Sequence, residues 1–234
     1  MNILITGGSR GIGRELVLLF AANTNNKVVV FSRNQEKMKE LEQECLEKFN
    51  NLIVSEYIDF LTNNLEDEIE KALKKINTSF NVVINNAGQL INGPFLQTEV
   101  KDIEESFKVN FTAPYLINKN IAAKYAATNC HIVNIGSMGG VQGSVKFPGL
   151  SVYSASKAAL ANLTECLAEE LKETGIKVNC LALGSAQTEM LHEAFPGYES
   201  PVSAKDMAQF IYQFSLTCNK LFNGKIIPVA ITTP

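Results

Sequence analysis

The chain has 234 residues, 46% of them hydrophobic and 19% charged, enough to build one large α/β domain around a single core. A net charge of −3, with lysines and arginines scattered rather than clustered, gives no electrostatic reason to expect nucleic acid or an anionic membrane as partner. The five cysteines, Cys45, Cys130, Cys166, Cys180 and Cys218, are odd in number and lack any C-x-x-C or Cys/His ligand spacing, so they read as reduced core residues rather than a disulfide framework or a zinc site.

From Met1 the sequence runs straight into a strand over 2–6, with no basic n-region ahead of it. No apolar run approaches the roughly 18 residues that a membrane helix needs, so a soluble cytoplasmic protein is expected. A helical stretch over 11–22 follows, then a strand over 27–31. Over 35–49, Met38, Leu41, Cys45 and Phe49 recur at three- and four-residue steps, the period of an amphipathic helix. Next come a strand over 52–57, a helix over 65–76, a strand over 80–85 and two helical stretches. The second half continues with a strand over 131–136, a helix over 153–171, a strand over 177–183, a helix over 204–216 and a strand over 225–229. Strand and helix alternating in this order predict a parallel sheet with helices on both faces. No Pro/Ser-rich linker, charge block or repeat divides the chain, so a single domain over 1–234 is expected. Right-handed crossovers then open a cleft at the carboxyl ends of the strands, where the strand order reverses.

The first such end carries Thr6-Gly7-Gly8-Ser9-Arg10-Gly11-Ile12-Gly13. Glycines here let the backbone turn tightly and approach a pyrophosphate at the helix N-terminus, where free N–H groups and the helix dipole favour an anion. The spacing is T-G-x-x-x-G-x-G, not the standard G-x-G-x-x-G. At the end of the second strand, Ser32-Arg33 stands where an NAD site would place an acid for the adenosine ribose. Arg33, with Arg10 in the glycine loop, suits a 2′-phosphate instead, so NADP(H) is expected over NAD(H).

Tyr153 and Lys157 lie four residues apart in the helix expected over 153–171, which puts an ammonium beside a phenol on one face. A free tyrosine has a pKa near 10, and bringing it to pH 7 takes roughly 4 kcal/mol. One ammonium at about 4 Å supplies about that at an effective dielectric near 20, so the expectation is a phenol made acidic by Lys157.

With Thr6–Gly13, Asn85-Asn86-Ala87-Gly88, Asn110, Ser137 and Tyr153-x-x-x-Lys157 in this order, the chain resembles the short-chain dehydrogenase/reductase family in its shorter, single-domain branch, over nearly its whole length. The resemblance implies a doubly wound Rossmann-type three-layer sandwich, a seven-stranded mostly parallel sheet with helices on both faces, a nicotinamide cofactor and oxidoreduction of a small-molecule carbonyl or alcohol. Carried over by position, it implies Asn110, Ser137, Tyr153 and Lys157 as the catalytic set. Tyr153 would exchange the proton, Ser137 would hydrogen-bond the same substrate oxygen, Lys157 would also hold the nicotinamide ribose, and Asn110 would anchor a water. The implied cofactor contacts are Gly7, Ser9, Arg10, Gly11, Ile12, Gly13, Ser32, Arg33, Asp59, Phe60, Asn86, Ala87, Gly88, Tyr153, Lys157, Gly184, Ala186 and Thr188. Asp59 resembles the residue that bonds adenine, and Gly184 and Thr188 the nicotinamide end. The sequence departs from the family at Leu183-Gly184, where Pro-Gly is usual.

Substrate choice in this family lies in a segment that corresponds to about 187–203, here a short lid carrying Met190, Leu191, Phe195, Pro196, Tyr198 and Pro201. The family pairs helices near 107–125 and 153–171 between subunits, and Ala158, Ala159, Leu160, Leu163 and Leu167 make the second apolar all round, so a homodimer or homotetramer is expected. His131 and His192 are too far apart for a ligand pair, and His131 is expected at the start of a strand; no metal is expected. Two other classes are a cofactor-binding regulatory or signalling protein with little turnover, and a lyase or epimerase, for which the chain is short.

Overall fold

The computed structural model describes residues 1–231; the last three positions of the domain expected over 1–234 lie outside the described residues. Seven strands form one sheet: β1 (Asn2–Thr6), β2 (Lys27–Ser32), β3 (Val54–Tyr57), β4 (Phe80–Asn85), β5 (Ala126–Ser137), β6 (Lys177–Leu183) and β7 (Ile226–Val229). Their order is β3-β2-β1-β4-β5-β6-β7, and every pairing among them is parallel. The central strands are uninterrupted apolar runs because both faces are covered. Successive residues serve opposite layers: Ile3 and Ile5 point to one core and Leu4 to the other, as do Val28 and Val30 against Val29.

The first layer is filled by α1 (Gly11–Ala21), α2 (Gln35–Phe49) and α8 (Ala204–Thr217), through Leu16, Phe20, Leu41, Ile211 and Phe214. The second is filled by α3 (Leu65–Ile76), α5 (Ala113–Asn120) and α6 (Ser151–Glu170), through Ile69, Leu73, Ile117 and Ala168, with α4 (Val100–Phe107) leading into α5. A doubly wound Rossmann-type three-layer sandwich results. Its strand order reverses between β1 and β4, so the cleft lies at Thr6 and Asn85.

Three local features differ from the sequence reading. The helical run over 100–125 is broken by two π-helical turns, Lys108–Thr112 and Ile121–Tyr125. β5 begins at Ala126 rather than near 131, because the pairing jumps from Phe80↔Ala126 to Val82↔His131 across a bulge. Asn129 lies in that bulge at φ 61°. His131 therefore sits inside the strand, fully buried between the Ser215 carbonyl at 2.9 Å and the Asn179 amide at 3.0 Å. The segment over 187–203 contains a short helix, α7 (Glu189–Ala194), and its ends meet in a bridge between Gln187 and Ser203.

Among the described residues, no helix is long and apolar enough to cross a membrane. None of their side chains forms a group of three or more His, Cys, Asp or Glu able to hold a metal ion.

Candidate active site

The glycine loop and the β4 turn are built as one unit. Gly7 has φ +70°, and a Cβ there would fall 2.8 Å from Ala87 Cα. A Cβ on Gly13 would fall 2.2 Å from the Gly7 carbonyl oxygen, so α1 leaves the sheet at a separation that only glycine permits. The Asn86 amide donates to the Thr6 and Gly7 carbonyls at 3.0 and 3.2 Å, and the Ala87 N–H donates to Thr6 Oγ1 at 3.0 Å. Thr6 is thus a brace that joins the two loops. α1 starts at Arg10 with no side-chain cap and no acid in its first turn, so its leading N–H groups remain available to an anion. These residues fit a dinucleotide pyrophosphate.

Around this cradle, Arg33 is exposed at the end of β2 and lines a shallow hollow with Asn34, Gln35 and Tyr57. Ser32 is buried, its hydroxyl accepting from Asn34 N–H at 3.4 Å. Asp59 closes a turn by accepting from Leu61 N–H at 3.0 Å, and Phe60 beside it is buried in the second layer. Ile12 packs on the first layer, and Ser9 is half-buried in the loop.

Arg10 is not free to wait for a phosphate: its guanidinium is forked onto the Glu193 carboxylate of α7, with Nη2 to Oε2 at 3.1 Å.

Gly184 is also more constrained than expected. Its N–H donates to the Val229 carbonyl at 2.9 Å and a Cβ would fall 2.8 Å from Ala230 Cβ, so its donor is already engaged by β7 itself and the chain that follows β7 closes the space beside it. Ala186 is buried in the first layer. Thr188 caps α7 by accepting from Leu191 N–H at 3.2 Å, and its methyl lies 3.3 Å from where a Gly11 Cβ would stand.

On the other side of the cleft, α6 brings Tyr153 and Lys157 to the end of β5. Ser137 is the last residue of β5, and its hydroxyl accepts from Gly139 N–H at 3.2 Å, which fixes its direction. Lys157 is 3% exposed and donates to the Ile135 carbonyl at 2.8 Å. A Cβ on Gly88 would lie 3.4 Å from Asn110 Oδ1 and 3.5 Å from Lys157 Nζ, so the β4 turn, Asn110 and Lys157 converge.

The electrostatics differ from the sequence argument. Burial pushes the Lys157 ammonium down to about 8, opposed weakly by the nearby Cys180 thiol. Burial pushes the Tyr153 phenol up, with the adjacent Ser137 hydroxyl pulling the other way. Lys157 Nζ is 5.9 Å from the Tyr153 ring centre and bonded elsewhere, so its charge does not make the phenol acidic in the protein alone.

Asn110 is fully buried in the first π-helical turn. Its Oδ1 accepts from Gln89 N–H at 2.8 Å, and its amide nitrogen faces the Gln89 carbonyl at 2.9 Å, Ser156 Oγ at 3.0 Å and Ser106 Oγ at 3.2 Å. Gln89 and Ser156 were not singled out from the sequence, because neither residue type signals such a role. Gln89 donates to Glu105 at 3.1 Å and leaves its own side-chain oxygen buried without a partner. His192 is exposed on α7.

Comparison with known proteins settles the family. The sequence matches the short chain dehydrogenase family over residues 1–199. The chain belongs to the short-chain dehydrogenase/reductase family. It is 32% identical over 191 residues to a 3-oxoacyl-(acyl-carrier-protein) reductase of Aquifex aeolicus, covering 80% of this chain and 74% of that protein. It is 32% identical over 203 residues to dehydrogenase/reductase SDR family member 6 of Rattus norvegicus, covering 86% and 78%. Among solved structures, a dehydrogenase/reductase of Sinorhizobium meliloti superposes with a TM-score of 0.84 at 28% identity, over 98% of this chain and 93% of that one. A Burkholderia cenocepacia short chain dehydrogenase in complex with NADP gives 0.84 at 24% identity, over 97% and 95%, a likeness of fold. This short-chain dehydrogenase/reductase is therefore an oxidoreductase by family, built on the family's Rossmann sheet.

Proposed function

We propose that this chain is an NADP(H)-dependent oxidoreductase that interconverts a carbonyl and a primary or secondary alcohol, with Tyr153 as general acid and base. The observation that carries the reading is the convergence of Ser137, Tyr153 and buried Lys157 beside Gly88, across the cleft from a glycine cradle whose helix has no cap of its own. When bound, the nicotinamide supplies or accepts the hydride at the substrate carbon.

Tyr153 gives the carbonyl oxygen its proton during reduction and takes it back during oxidation. Its raised pKa keeps the phenol protonated near neutral pH, which is the form reduction needs. Ser137, aimed by Gly139 N–H, keeps its own proton free to donate to the same oxygen as charge develops there. Lys157 has used one of its three donors on Ile135, leaving two for a ribose at Gly88. The Asn110 amide is committed to Gln89 and the serines, so a water at this residue is held by its main-chain carbonyl, whose α-helical partner four residues on would be Pro114, a residue with no N–H.

Arg33 and Arg10 favour the 2′-phosphate of NADP(H), since β2 ends in no carboxylate. Asp59, Phe60, Asn86, Ala87 and Thr188 complete the cofactor contacts, and Gly184 contributes shape in place of a hydrogen bond. The chain acts as one domain in which 187–203 forms a lid, with half-buried Met190, Leu191 and Phe195 on it. Substrates of this reading are small carbonyl compounds or alcohols; the Aquifex aeolicus relative's name specifies a 3-oxoacyl-(acyl-carrier-protein).

The test is oxidation of NADPH and of NADH across a panel of ketones, aldehydes, sugars, steroids and acyl thioesters. The expected result is turnover with at least one member and a larger kcat/KM with NADPH. Preference for NADH would contradict the cofactor reading, and no turnover with tight NADPH binding would favour a regulatory protein on the same fold.

A further inference from the structure

We propose that Glu193, on α7, stands in for the cofactor's 2′-phosphate, holding Arg10 until a phosphate displaces it and so lowering affinity for NADPH selectively. The proposal rests on the reading of Arg10 as a phosphate ligand given above. Both guanidinium Nη atoms of Arg10 face the two oxygens of Glu193, the same forked edge that would grip a phosphate. Arg10, through this hydrogen bond and its charge, holds the Glu193 carboxyl below the usual range, with smaller contributions from the charges of Lys37 and Arg33.

Glu189 stands one turn earlier on α7, with Oε2 3.5 Å from where a Gly11 Cβ would be. The acidic face of α7 is therefore turned toward the uncapped start of α1 and the basic residues around it. A phosphate arriving at Arg10 must both replace a carboxylate and tolerate its charge nearby. NADH carries the same pyrophosphate but no 2′-phosphate, so it does not compete for this edge of Arg10. By linkage, the phosphorylated cofactor also loosens the hold of α7 on the glycine loop.

Arg10 and Glu193 are both substantially exposed, so the effect is modest, about three- to tenfold in the dissociation constant. The experiment measures NADPH and NADH dissociation constants by fluorescence titration for wild type, Glu193→Gln, Arg10→Gln and the double variant at fixed ionic strength. Glu193→Gln is expected to tighten NADPH by about three- to tenfold, leave NADH within twofold, and have no effect once Arg10 is Gln. Equal changes for both cofactors, no change for either, or an unchanged effect in the Arg10→Gln background overturns the proposal. The wild-type ratio of the two constants separately tests the cofactor reading: tighter NADH in wild type refutes that reading, while a selective gain in Glu193→Gln would still uphold this one.

Discussion

Lys157 is a cation held 3% exposed with one hydrogen bond, and that placement has a thermodynamic signature. Its pKa lies at about 8 in the folded protein and near 10.5 when unfolded. Between those values the unfolded chain binds more protons, so this residue's contribution to stability rises with pH through the window from about 8 to 10.5, by about 3 kcal/mol in all. Urea unfolding of wild type and Lys157→Met at pH 7 and pH 10 isolates it. The stability advantage of Lys157→Met over wild type is expected to shrink by about 2.5 kcal/mol between the two, most of the total, and a difference independent of pH would contradict a buried ammonium. Spacing alone put Tyr153 and Lys157 on one helical face, and they are. It could not show that Lys157 points to the Ile135 carbonyl, or that burial outweighs its field at the phenol, because both depend on the end of β5 packing over α6. Glu193 was illegible for the same reason: 183 positions separate it from Arg10, and a glutamate in a lid carries no sign of its partner.

At the scale of elements, the site depends on how β4, β5, α5 and α6 are tied beneath it. Asn85 donates to Asn118 and Asn134, each at 2.8 Å, and Asn134 donates to Thr164 at 2.9 Å, all buried. Asn134→Ala removes an acceptor from Asn85 and a donor from Thr164 together, an expected loss of about 1–3 kcal/mol in urea unfolding. A loss below about 0.5 kcal/mol would mean that the network does not hold these elements together. The alternation of apolar runs and helical periods made nearly every strand and helix readable, and the motifs fell at the strand ends where the sheet topology puts them. The π-helical turns were not readable, since an i→i+5 bond leaves no period of its own, and neither was the bulge at Asn129, where polar residues interrupt a strand that resumes.

At the scale of the whole molecule, several large apolar side chains among the described residues stand exposed. Phe95 is 76% exposed, Leu96 93% and Val100 69%, with Ile103, Val145 and Phe147 also open. On α6, Leu160 is buried in the chain's own core, while Ala158, Ala159, Leu163 and Leu167 are half-exposed. Exposed apolar side chains on this scale favour a homodimer or homotetramer, and light scattering at micromolar concentration is expected to return a multiple of the 25.7 kDa chain mass; a monomer would contradict it. The most direct measurement is NADPH turnover with the best carbonyl of the panel, beside NADPH binding, in wild type and Tyr153→Phe. The proposed role predicts that Tyr153→Phe loses turnover by about a thousandfold or more while its NADPH dissociation constant stays within a few-fold of wild type. Full turnover in Tyr153→Phe would contradict it.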